Sequence, residues 1–239
     1  LTTSSAASDV YKRQDQQIFN EAASRWSDII NERTRPSSEH DMYINVNFDD
    51  LGNGILGSAG PTLSIEIDNK SVPIEGTVNI NNQNWTTQLA NIKTNGKTQA
   101  YYTVLHEMGH ILGIGTMWSV NSLTNGDGNY IGSNALREYN AIFNLPTNTY
   151  IPIEDDGGSG TAGGHLEEGI EPGMSHAILP PGLDQELMTG FAENNKGHQP
   201  LSKITVGLLE DIGFSVDYEK ADAFVPIDSG YPVSYTHLR

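Results

Sequence analysis

His106, Glu107 and His110 are the residues of this chain whose types and spacing point most directly to chemistry. Two histidines four positions apart on a helix leave the same face one turn apart. Both imidazoles can then reach a single Zn2+ at about 2.0–2.1 Å. Glu107 is angled to the side of that pair, where its carboxylate can hold a water beside the metal rather than bind the metal. Zinc lowers the pKa of such a water toward neutrality, and a carboxylate can take the proton as the oxygen attacks a polarised carbonyl. The chemistry expected is metal-assisted hydrolysis. A catalytic zinc site also needs a third protein ligand and an open position; His165, His176, His198 and Glu138 are the candidates.

The elements that must carry these groups are legible in outline. Tyr101, Val104, Leu105, Met108, Ile111 and Leu112 form one apolar stripe, which predicts a helix over 98–112 with Gly113 as its stop. A first amphipathic helix is predicted over 15–34, from Ile18, Ala22, Trp26 and Ile29/Ile30, closed by Pro36. Alternation predicts strands at 42–48, 63–67 and 77–81, with 49–60 a glycine-rich loop. Further helices are predicted from Ser133 to Phe143 and over 202–212. The run 151–184 is rich in glycine, proline and acids, and irregular segments of that length are usually functional or held by a ligand. Helix, small sheet, helix and loop-rich half together predict one α+β unit over 15–231. Its lobes would cover about 15–115 and about 116–231, with a cleft between them. An extended substrate is expected to pair with an edge strand, placed at 77–81.

Composition narrows the partners. With no cysteine among 239 residues, there are no disulfides and any transition-metal site must use histidine and carboxylate. A net charge of −17 argues against nucleic acid and anionic membrane surfaces, and no unbroken apolar run has membrane length. Strong acidity with little lysine is common in secreted or salt-tolerant proteins, and a solvated acidic surface serving solubility explains it as well. Asp127, within Asn125–Asn129, and Asp155-Asp156 are set in oxygen-rich, glycine-flexed stretches that could hold Ca2+, although ordinary polar turns account for them as well. Both ends look foreign. Asp9–Gln14 back-translates to a string whose reverse complement, in another frame, encodes Val233–Leu238. That relation resembles a translated sequencing adapter, so 1–14 and 232–239 are set aside, and His237 with them.

Thr116 stands where the short pattern HExxHxxGxxH would put its third histidine, whereas Gly113 matches the glycine of that pattern. The third ligand must therefore lie farther along. Three stretches in order, His106-Glu107-xx-His110-xx-Gly113, Gly160-Thr161-Ala162-Gly163-Gly164-His165 and Glu186-Leu187-Met188-Thr189-Gly190, resemble the leishmanolysin family of metzincin peptidases. The likeness extends over nearly all of 15–229, through Ala22–Trp26, Leu56–Pro61, Leu201–Thr205 and Leu209–Phe214. It implies a metzincin-like zincin with a small twisted sheet, an active-site helix and a loop-rich C-terminal lobe. By position it implies His106, His110 and His165 as zinc ligands, Glu107 as general base and Met188 as the apolar floor under the metal. It further implies peptide or protein substrates and a secreted or cell-surface location. The stretch between His165 and Met188 is longer than the family's usual spacing, which leaves His176 a rival third ligand. Absence of cysteine suggests a bacterial-type relative. Two other readings stay open: a non-catalytic, zinc-stabilised adhesion or binding module, and a gluzincin-type hydrolase with Glu138 as third ligand.

Overall fold

The computed structural model describes residues 3–31, 42–145, 150–155, 157–158, 160–169, 182–192 and 197–226, with side chains from residue 13 onward. Its elements are α1 (Thr3–Ile29), β1 (Tyr43–Asp49), β2 (Gly57–Ile67), β3 (Lys70–Asn81), α2 (Trp85–Ala90), α3 (Gln99–Ile111), α4 (Ser133–Ile142) and α5 (Lys203–Ile212). This is the α+β class expected.

Helix α3 lies at the centre. Thr98 caps it, its hydroxyl oxygen accepting from the Tyr101 amide at 3.1 Å. The expected apolar stripe is buried, and so is every other residue of the helix except His106. Such a helix must be packed on all sides. On one side stands α1, whose Ile18, Ala22, Trp26 and Ile29 are the predicted buried face. The Trp26 indole N–H donates to the Leu105 carbonyl at 2.9 Å, which satisfies its polar atom inside the core. α1 ends five residues before the expected boundary at 34, because Ile30 leaves the helix to bridge Val216.

The sheet covers another side of α3. Its order is β1-β3-β2, with β1 parallel and β2 antiparallel to β3. β2 and β3 form a hairpin in which Ile67 faces Lys70 across Asp68 and Asn69. Both turn residues have positive φ, 50° and 62°, the twist a two-residue hairpin needs. The sheet corrects three expectations. Residues 77–81 are part of the central strand, not an edge: β1 and β2 take its backbone groups on both sides, so none is free for a substrate. The glycine-rich stretch expected to be loop to residue 60 becomes strand at Gly57. A Cβ at Gly76 would stand 2.4 Å from Ile111 Cγ2, so one strand glycine marks the close approach of the sheet to α3. In β1, Val46 and Phe48 remain 38% and 39% exposed, although Phe48 meets Phe19 and Trp85 edge-on. β1 is a margin strand, and alternation there buries less than it predicts.

The C-terminal half is held by short bridges, Tyr130 with Ile151, Ile153 with Leu166 and Leu166 with Thr189, and by α4 packed on α5. Gly207 lets the two helices touch; a Cβ there would lie 2.6 Å from the Ala135 Cα. Asp211 of α5 is buried and accepts from the Asn134 and Ala135 amides at the start of α4, at 2.9 and 3.1 Å, and from the Tyr130 hydroxyl at 3.0 Å. Asp211→Ala leaves three donors without an acceptor. At about 1 kcal/mol for each lost bond it should cost about 3 kcal/mol, a fall of about 6–12 °C in Tm for a domain of this size, read by calorimetry. A change under about 2 °C would mean that water replaces the carboxylate.

Candidate active site

His106 and His110 stand one turn apart on α3, and His165 arrives from the loop that follows Thr161. Gly115 sets that approach: its φ is +76°, and a Cβ there would be 2.0 Å from the Gly164 carbonyl oxygen. Only glycine permits both the conformation and the contact. Thr116, at the position the short pattern reserves for histidine, donates its hydroxyl to the His110 carbonyl at 2.7 Å and closes the end of α3.

Each imidazole is held at its Nδ1 by a main-chain carbonyl: His106 by Leu187 at 2.7 Å, His110 by Ile114 at 2.9 Å and His165 by Thr161 at 2.7 Å. A carbonyl oxygen only accepts, so each Nδ1 carries the proton and each Nε2 of a neutral ring is a lone pair. The three Nε2 atoms lie 3.0–3.1 Å apart. Burial keeps all three neutral, reinforced by the neighbouring rings at His106 and His165. It holds His106 well below the usual histidine range, lowers His110 and takes His165 down to about 3.

Three inward lone pairs at this distance repel unless a cation stands between them. The donor set, its tautomers fixed from outside, fits Zn2+ at the usual Zn–N length of about 2.0–2.1 Å. Among the described residues these three histidines can hold one ion together.

Glu107 is 6% exposed, and burial pushes its carboxyl up to about 8. Its Oε2 is buried with no hydrogen-bond partner among the described residues. The carboxylate lies over Gly57 of β2, where a Cβ would be 2.8 Å from Oε1. Beneath α3, Met188 is fully buried, with its sulfur where a Cβ on Gly109 would be only 2.7 Å away and Trp26 close behind. A cleft of about 830 Å3 opens over the group. Asn53–Ser58 line one side of it, and Tyr102, Thr103, Thr161 and Phe191 stand among its other walls.

The other candidates stand elsewhere. Glu138, on α4, is bonded to its neighbour Arg137 at 2.8 Å and does not join the histidines. His198 is exposed, and His176 lies outside the described residues. Asp127 is exposed in a turn closed by the Asn125 side chain, which accepts from the Asp127 and Asn129 amides. Asp155 groups with Glu154 and Glu167, whose carboxylates come close enough to face one cation, as exposed acids commonly do without one, and Asp156 lies outside the described residues; calcium is not supported. Sequence reasoning names Gly57, Gly109 and Glu186 only as motif positions and assigns them no role. Nothing in the sequence sets Glu186 apart from Asp184 and Gln185 beside it.

Comparison with known proteins agrees with this geometry. The family model described as Leishmanolysin, a peptidase family, matches residues 33–228. No curated protein matches the chain.

The depressed histidines make the metal-stripped protein acid-labile. Unfolded histidine titrates near about 6.5, whereas folded His165 does so at about 3. Between those values the unfolded histidine binds more protons than the folded one, so its contribution to stability falls as pH falls, whereas the raised carboxyls of Glu107 and Glu186 act in the opposite sense. In chelator, the urea midpoint of the wild type should fall relative to that of His165→Asn between pH 7 and pH 5. Equal slopes for the two proteins would contradict this origin.

Proposed function

The chain belongs to the leishmanolysin family of zinc metallopeptidases, and we propose that it is an endopeptidase in which Glu107 is the general base. The observation that carries the reading is the convergence of three Nε2 atoms at 3.0–3.1 Å with every Nδ1 committed to a carbonyl. His106, His110 and His165 would hold Zn2+, whose chemistry there is Lewis-acid polarisation of a peptide carbonyl and acidification of a water. Glu107 takes the proton of that water as its oxygen bonds the carbonyl carbon. The same carboxyl then delivers the proton to the departing amine nitrogen as the C–N bond breaks. Burial raises the Glu107 carboxyl in the metal-free protein, and a cation held by the three histidines would favour the ionised form that a base needs. Met188 supplies an apolar floor and does not ligate.

Substrate lies extended in the cleft. β2 pairs only with β3 in the described sheet, so its other margin, near Gly57 and Ser58, is the edge to which a peptide backbone can add. This replaces the placement at 77–81. The catalytic unit is taken as 15–231, of metzincin type, with lobes at about 15–115 and about 116–231. Its place of action is outside the cell or on its surface. Among the described residues no helix is long and apolar enough to cross a membrane.

The test is cleavage of unfolded casein by the full chain, with and without 1,10-phenanthroline, beside Glu107→Gln. Chelator should abolish cleavage. Loss of the base should lower kcat/KM by about 10²–10⁴-fold while one zinc per chain is retained. Unchanged cleavage by Glu107→Gln would overturn the role of Glu107. Zinc bound with no cleavage of any substrate by the wild type would favour a binding module.

A further inference from the structure

We propose that Glu186 is a positioning residue for the metal centre, one that fixes two of the three imidazoles through the main chain of 187–189; the proposal rests on the zinc reading above. Glu186 is fully buried, and its two oxygens serve different pieces of chain. Oε2 accepts from the Met188 amide at 2.6 Å. Oε1 accepts from the Ser202 amide at 3.0 Å, the Ser202 hydroxyl at 2.7 Å and the Thr205 hydroxyl at 2.6 Å. One carboxylate thus bolts the turn that carries Met188 to the first turn of α5.

What hangs on that turn is the site. The Leu187 carbonyl accepts from His106 Nδ1 at 2.7 Å and sets the plane of that ring. The Met188 carbonyl accepts from the Leu166 amide at 3.0 Å, next in the chain to His165, and Leu166 bridges Thr189. The Met188 side chain rests against Gly109, between the two histidines of α3. His110 is oriented by Ile114, outside this arrangement. All four donors to Glu186 point at acceptor oxygens, so an amide cannot replace it. Whichever way Gln is turned, its NH2 group faces a main-chain N–H, that of Met188 or that of Ser202. The turn must then shift, and His106 and His165 shift with it.

Three variants of the full chain separate this role from simple stability: Glu186→Gln, Thr205→Val and Asp211→Asn. Asp211 is also a buried carboxylate of α5 bonded to three donors, but these are the Tyr130 hydroxyl and the first amides of α4, none of which bonds a histidine. The readouts are thermal unfolding, zinc affinity by competition with a chromophoric chelator at 25 °C, and the d–d spectrum of the cobalt-substituted protein. Glu186→Gln should bind zinc about 10–100-fold more weakly, the usual effect of losing an outer partner of a metal ligand, and its cobalt spectrum should change. Thr205→Val, which removes one donor, should move the same way by less. Asp211→Asn should lower Tm but keep wild-type zinc affinity and cobalt spectrum. Wild-type affinity and spectrum in a folded Glu186→Gln would overturn the proposal; if that variant does not fold, the same result in Thr205→Val would do so. Failure of the wild type to bind zinc would instead overturn the zinc reading itself.

Discussion

The site depends on three main-chain carbonyls, those of Leu187, Ile114 and Thr161. A neutral imidazole has one N–H and one lone pair, and a carbonyl that accepts the N–H decides where the lone pair points. With all three Nδ1 atoms bound from outside, the three Nε2 atoms face each other at 3.0–3.1 Å. Each carbonyl belongs to a different piece of chain: the turn at 187–189, the exit from α3, and the glycine-rich loop before His165. Placing those three pieces around one point is the task the rest of the fold performs.

Glycines let the pieces come close enough. Gly115 admits the loop of His165 to the end of α3, Gly109 admits Met188 beneath the helix, and Gly57 leaves room above it for the Glu107 carboxylate. In each case a methyl group would overlap the group it must face. Carboxylates then lock the arrangement from behind: Glu186 between the Met188 turn and α5, Asp211 between α5 and α4, and Asp222 between the Leu201 amide and Arg25 of α1. Glu186 and Asp211 are buried, and buried acids are costly unless their oxygens are matched, which is why their partners are main-chain amides and hydroxyls.

Much of this was legible before the structure, and the reasons differ by residue. The stripe from Tyr101 to Leu112 announces α3 because a buried helix face repeats at helical spacing, and the His-Glu-xx-His offset carries its own chemistry. His165 could be approached through its glycine lead-in, since a glycine run marks close packing. Sheet order was not legible. Alternation in 77–81 identifies a strand but holds no information on how many neighbours it has, so a central strand reads as an edge. The hairpin turn at Asp68 and Asn69 was missed because its positive φ angles sit on residues other than glycine. Gly57 was read as loop because glycine for flexibility and glycine for contact look alike in one dimension. The carbonyl partners of the histidines leave no trace in side-chain identity at all.

The most direct test of the account is zinc K-edge X-ray absorption on the zinc-loaded protein, because it counts and identifies the ligands without reference to activity. Three imidazole nitrogens at about 2.0–2.1 Å with one further light atom is the predicted first shell. Two imidazoles with a carboxylate in place of the third would contradict the tripod of His106, His110 and His165.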